Sequence, residues 1–148
     1  MTAFFTPTNT LNEVNNIKTF FGPIASTVQP RVNDAVMQRI NKVSQFSENW
    51  DGYGSLAPDA NAVQRARELI NLNPVCFNST RLPEISADED GRIIIEWRWN
   101  STSKTLALFI GPEDIIVVQS WGPGNPITDT ILSAPDKLSE HWGWLFVK

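Results

Sequence analysis

Apolar positions change their period once along this chain, and the change divides it into a helical half and a stranded half. In the first half they recur at spacings of three and four. Leu11, Val14, Ile17, Phe20 and Phe21 form one such stripe, closed by Gly22-Pro23. Thr10-Leu11-Asn12-Glu13 before it has the form of a capping box. A second stripe runs through Val36, Met37, Ile40, Val43 and Phe46, with Asn33 or Asp34 placed to cap it and an end near Ser47. A third helix is expected to begin at Pro58, a residue suited to the first turn, with Asp59 at the positive end of the dipole. Its buried face is Ala62, Val63, Ala66, Leu69 and Ile70, its wet face Gln64, Arg65, Arg67 and Glu68, and Asn73-Pro74 stops it.

From Leu82 the period falls to two. In Arg92–Trp99, Ile93, Ile95, Trp97 and Trp99 share one face, and Arg92, Ile94, Glu96 and Arg98 share the other. That pattern predicts a half-buried antiparallel strand with a polar outer face. Asp90-Gly91 is a hairpin signal, which makes residues 83–87 the preceding strand. Residues 105–110, with Leu106, Leu108 and Ile110 on one side, and 115–120, after the turn Gly111-Pro112-Glu113-Asp114, complete a roughly four-stranded meander. The stretch from Trp121 to Pro126 reads as loop, and a last helix is expected from Ser133 as cap, carrying Leu138, Trp142 and Leu145. The expected fold is α+β over residues 1–148 as one domain, with N-terminal helices packed on the meander and a helix at the C-terminus.

Composition narrows the function classes. With 148 residues, 41% hydrophobic and 19% charged, the chain has enough apolar material for a core without a metal or disulfide. Six Trp and eight Phe make that core aromatic-rich. A net charge of −4 argues against tight, phosphate-driven nucleic-acid binding. No apolar run approaches a membrane span, and the opening MTAFFTPTNT lacks the basic start of a secretory signal, so a cytoplasmic location, in a host or bacterial cell, and no membrane partner are expected.

Candidate chemistry is sparse. His141 is the single histidine and Cys76 the single cysteine, and neither has the neighbours of a nucleophilic triad or a zinc site. Asp88-Glu89-Asp90-Gly91 clusters carboxylates but lacks the spaced ligands of a calcium loop, so no metal and no cofactor are expected. Gly52-Tyr53-Gly54 has no Lys-Ser/Thr and no preceding strand, as a phosphate loop would require. Asp51 and Glu96 can be offered as a carboxylate pair for hydrolysis of a glycan or nucleotide. Trp97-Arg98-Trp99 interleaves rings and charge, as single-strand binders do, but its two Trp fall on the core face.

The densest cluster is Asn49-Trp50-Asp51-Gly52-Tyr53-Gly54. Two glycines supply positive φ, Asp51 can bond its own backbone, and Trp50 and Tyr53 can anchor the corner or present themselves to a partner. This hexapeptide between two helices, then Ser55-Leu56-Ala57-Pro58, Pro83-Glu84-Ile85, the Asp90-Gly91 hairpin and the Ile95-Glu96-Trp97 strand, resembles a group of small uncharacterised bacterial and phage proteins over about residues 47–121. The resemblance implies a small α+β domain and brings no activity with it. The expected function is a non-enzymatic protein-interaction module, binding a protein partner through Trp50, Asp51 and Tyr53 as an inhibitor, antitoxin or immunity protein, or phage anti-defence protein. A small hydrolase using Asp51 and a structural phage or assembly component are the alternatives, and a homo-oligomer is left open.

Overall fold

The computed structural model describes residues 31–148, apart from Ser79 and residues 124–126. The first expected helix, Leu11 to Phe21, lies outside the described residues. Two helices, α1 (Asp34–Ser44) and α2 (Ala60–Leu72), precede a five-stranded antiparallel meander, and a third helix follows it. The class is therefore α+β, with one strand more than the periodicity indicated.

Both long helices start on side-chain caps. Asn33 Oδ1 accepts from the Ala35 N–H at 2.8 Å, and Asp59 Oδ1 accepts from the Asn61 and Ala62 N–H groups at 2.8 and 3.1 Å. The second cap corrects the expected start of α2. Asp59 is the N-cap rather than a first-turn residue, so the helix opens at Ala60 and Pro58 stays outside it. Val36, Ile40 and Val43 of α1 and Ala62, Ala66, Leu69 and Ile70 of α2 are buried. As expected, α2 ends at Asn73-Pro74, with Asn73 as its C-cap. A 3₁₀ turn, Pro74–Phe77, drives Cys76 and Phe77 into the core, and the buried Asn73 amide donates to the Leu69 and Pro135 carbonyls at 2.8 Å each.

The strands are β1 (Glu84–Ala87), β2 (Ile93–Trp99), β3 (Lys104–Ile110), β4 (Ile115–Trp121) and β5 (Ile127–Ile131), paired in sequence order. Register aligns Ile85, Ile95, Leu108 and Val117 across four strands, and Ala87, Ile93, Ile110 and Ile115 in the next row. These residues are all buried and form the inner face, with Trp97 and Leu106 beside them. Trp97 packs on Phe77, ring centroids 5.3 Å apart.

The outer face is less polar than β2 alone suggests. Ile94, Phe109, Ile116 and Ile131 stand opposite one another across four strands, and Ala107 and Val118 pair in the adjacent row. Glu84, Glu96 and Asp129 extend that second row at its ends. An apolar row thus lies between carboxylates on a surface that β2 by itself presents as charged.

The C-terminal helix is shorter than expected. A 3₁₀ turn (Pro135–Lys137) leads into α3 (Leu138–Trp144), so Ser133 does not cap it. Packing holds this element instead. Trp99 and Trp142 meet Phe146 edge-on at 4.6 and 4.8 Å. Thr102 Oγ1 donates to the Leu145 carbonyl at 2.8 Å, and Lys104 Nζ donates to the Trp144 carbonyl at 2.9 Å. Among the described residues no helix is long and apolar enough to cross a membrane.

Candidate functional site

The Asn49–Gly54 corner is built by its own hydrogen bonds. Asn49, Gly52 and Gly54 all take positive φ, at 62°, 79° and 82°. Asparagine tolerates that region because its short polar side chain bonds locally, and glycine because it has no Cβ. The Asn49 N–H donates to the Ser55 carbonyl at 2.8 Å, and Asn49 Oδ1 accepts from the Gly54 N–H at 2.6 Å. Asp51 Oδ1 accepts from the Tyr53 N–H at 2.9 Å, while Oδ2 accepts from the buried Ser55 hydroxyl at 2.6 Å. The Ser55 hydroxyl, and after it the Tyr53 N–H, hold the Asp51 carboxyl below the usual carboxylate range.

The three candidate residues therefore lie together but do different things. Trp50 is an anchor: its indole N–H donates to the Leu56 carbonyl at 3.0 Å, and its ring stacks on Phe46 at 4.9 Å. Asp51 is a turn former with both oxygens engaged. Tyr53 turns outward and is 91% exposed. The corner is in turn tied to the β1–β2 hairpin, through Leu56 N–H to the Glu89 carbonyl at 3.0 Å and Asp59 N–H to the Gly91 carbonyl at 2.8 Å.

Because Asp51 has a depressed pKa in the folded state, its contribution is fully present above the unfolded value of about 3.9. It is lost as pH falls through the lower, folded value. We expect the acid limb of the unfolding curve, followed by circular dichroism between pH 5 and 2, to flatten in Asp51→Asn relative to the parent. An unchanged acid limb would show that the carboxylate does not organise the corner.

The other candidates are dispersed. Glu96 sits on the outer face of β2, its carboxylate 3.1 Å from Arg98, away from the corner's network. Asp88 accepts from the Asp90 and Arg92 N–H groups and pairs with Arg92 Nε at 2.6 Å, which makes it a hairpin organiser. No group of three His, Cys, Asp or Glu side chains is placed to hold a metal ion among the described residues. Burial pushes the Cys76 thiol up to about 11, so it stays protonated near neutrality and is a poor nucleophile. His141 is half-buried on α3.

A hollow of about 240 Å³ opens between Thr80–Leu82, Trp97–Trp99 and Leu145–Phe146. Of its two half-buried rings, Trp99 is covered by the Arg81 guanidinium, 4.0 Å from its centroid, and Phe146 is met edge-on by Trp99 and Trp142. The Trp97-Arg98-Trp99 alternation thus places its rings in the core and under Arg81, and not on an open stacking platform.

Sequence reasoning passed over the outer sheet face and β5. The register supplies the signal, because Ile94, Phe109, Ile116 and Ile131 come together only once the strands are paired. Comparison with protein-family models, with curated proteins and with solved structures finds no match.

Proposed function

We propose that this chain is a non-enzymatic protein-interaction module that works by occupying a protein partner, in the manner of an inhibitor, an antitoxin or immunity protein, or a phage anti-defence protein. The observation that carries this reading is the outer sheet face. Ile94, Phe109 and Ile116 are only half-buried, Ile131 is exposed, and among the described residues α1 and α2 pack on the inner face. Contiguous apolar surface rimmed by charge is the usual character of a protein contact. The exposed Tyr53 ring, on a corner stiffened by Asp51 and Trp50, supplies a second contact of the kind enriched at interface centres. The engaged oxygens of Asp51 favour this reading over hydrolysis.

The test is quantitative capture from bacterial lysate with the full chain, Phe109→Asp and Tyr53→Ala, each checked for cooperative unfolding. A partner retained by the parent should fall by at least about tenfold with Phe109→Asp, the loss expected when a charge enters an apolar contact. Identical captured sets for the parent and both variants would overturn the reading.

A further inference from the structure

The two edges of the sheet are treated differently. Along β1, the Asp88 N–H to Arg92 carbonyl bond fixes the alternation of the ladder, which turns the N–H and C=O groups of Ile85 and Ala87 away from β2. Arg39 of α1 meets that edge, its Nε donating to the Ile85 carbonyl at 2.8 Å. A long cationic side chain on an edge carbonyl is one of the ways a sheet is kept from adding strands.

Among the described residues nothing comparable stands on β5. The Leu132 N–H donates to the Ile115 carbonyl at 2.8 Å, so the pairs Val117–Thr130 and Gln119–Thr128 are the hydrogen-bonded ones. The N–H and C=O groups of Ile127, Asp129 and Ile131 therefore point to the free edge, and no hydrogen bond to them is made among the described residues. All five residues of β5 are exposed, Ile127 at 68% and Ile131 at 66%. A shallow hollow lined by Ile116, Asp129, Thr130 and Ile131 adjoins the strand.

Charge decides what such an edge accepts. Ile127, Asp129 and Ile131 lie on one face of the strand, an anion between two isoleucines. Antiparallel pairing with a second copy, in the register that opposes Ile127 to Ile131, sets Asp129 against another Asp129, and like charges directly opposite are destabilising. Slipping that register by two residues sets Ile against Asp instead.

We propose that β5 accepts an extended segment of a partner protein as a sixth strand, with Lys or Arg opposite Asp129 and apolar side chains opposite Ile127 and Ile131. Backbone hydrogen bonds to residues 127, 129 and 131 supply affinity, and the central cation supplies selectivity. The inference rests on the interaction reading above and names the chemistry of the partner.

The probe is the N-acetylated, C-amidated peptide Thr-Val-Thr-Lys-Thr-Val-Thr, titrated into the isotope-labelled full chain by NMR, beside the same peptide with Glu in place of Lys. Saturable shifts are expected at the amides of Ile127, Asp129 and Ile131, with the Glu peptide at least about fivefold weaker, as a cross-strand charge pair allows. Asp129→Lys should invert that preference. Ile131→Pro should abolish binding while keeping the fold, since the N–H it removes faces outward and proline is tolerated on an edge strand. Equal response to the two peptides, or no saturable shift by about 5 mM peptide, a very weak dissociation constant, would overturn the proposal. So would a dimer, seen by sedimentation, that Ile131→Pro dissolves, because the occupant would then be a second copy. A negative titration alongside a Phe109-dependent capture would remove the sixth strand and leave the interaction reading standing.

Discussion

Trp97→Ala is expected to destabilise the domain by about 3–5 kcal/mol, the range for truncating a large buried aromatic side chain. Trp97 is 3% exposed, lies on the inner face of β2 just past the end of β1, stands opposite Leu106 and packs on Phe77. Removing it opens a cavity bounded by the sheet and by the 3₁₀ turn, two structures that cannot both collapse into the gap. Against a typical total stability of about 5–15 kcal/mol, this loss is a large fraction. With a urea m-value of about 2 kcal/mol/M, the midpoint should fall by about 2 M. Trp97→Phe offers a sharper check. The indole N–H of Trp97 is buried with no hydrogen-bond partner among the described residues, so phenylalanine removes an unsatisfied donor along with some volume. The cost should be about 1–2 kcal/mol, well short of the alanine variant. A Trp97→Phe loss equal to that of Trp97→Ala would mean that the N–H is satisfied in solution and that the cavity argument is incomplete.

The same residue shows why much of the fold was legible in the sequence. Trp97 belongs to an unbroken period of two from Ile93 to Trp99, and burial of every second side chain forces that segment into one register. The stripes of α1 and α2 carry the same kind of information at a period of 3.6. What stayed hidden has a common cause. β5 buries none of its residues, so Ile127-Thr-Asp-Thr-Ile131 gains nothing from the core, and its alternation is short and follows a run of breakers. At the start of α2, the favourable rules for Pro58 and Asp59 fall on adjacent residues. The carboxylate that takes two backbone N–H groups decides the boundary. At the corner, the turn chemistry of Asn49, Asp51, Gly52 and Gly54 was readable residue by residue. The opposite fates of Trp50 and Tyr53 were not, because they depend on how Phe46, just past the end of α1, and the Leu56 carbonyl are placed around the corner.

Gly91→Ala should cost about 2–5 kcal/mol, and it tests whether the corner and the hairpin form one unit. Gly91 has φ +84°, a conformation that costs an L-residue about 1–2 kcal/mol. A Cβ at this position would also lie 2.8 Å from the Ala57 carbonyl oxygen, which is backbone and not the end of a flexible side chain. Relieving that contact means moving the Ser55–Pro58 segment away from the hairpin, an overpacking strain of about 1–3 kcal/mol. The displacement would fall on two bonds at once. The Asp59 N–H to Gly91 carbonyl bond seats the N-cap of α2, and the Leu56 N–H to Glu89 carbonyl bond seats the spacer. Gly52 and Gly54 provide the control, since they share positive φ but meet nothing within 4 Å of an added Cβ. Their alanine variants should therefore lose only the conformational part, about 1–2 kcal/mol. Equilibrium unfolding of the three variants separates the two contributions, and hydrogen exchange at Asn61 and Ala62 reports whether the N-cap of α2 loosens. If Gly91→Ala is no worse than Gly52→Ala, the corner leans on the hairpin without depending on it, and Tyr53 then stands on a loop free to move. If it is worse by the expected margin, with Asn61 and Ala62 exchanging faster, then Asn49–Gly54, the Asp90-Gly91 turn and the first turn of α2 are one rigid body, and the Tyr53 ring is presented to a partner from a fixed position.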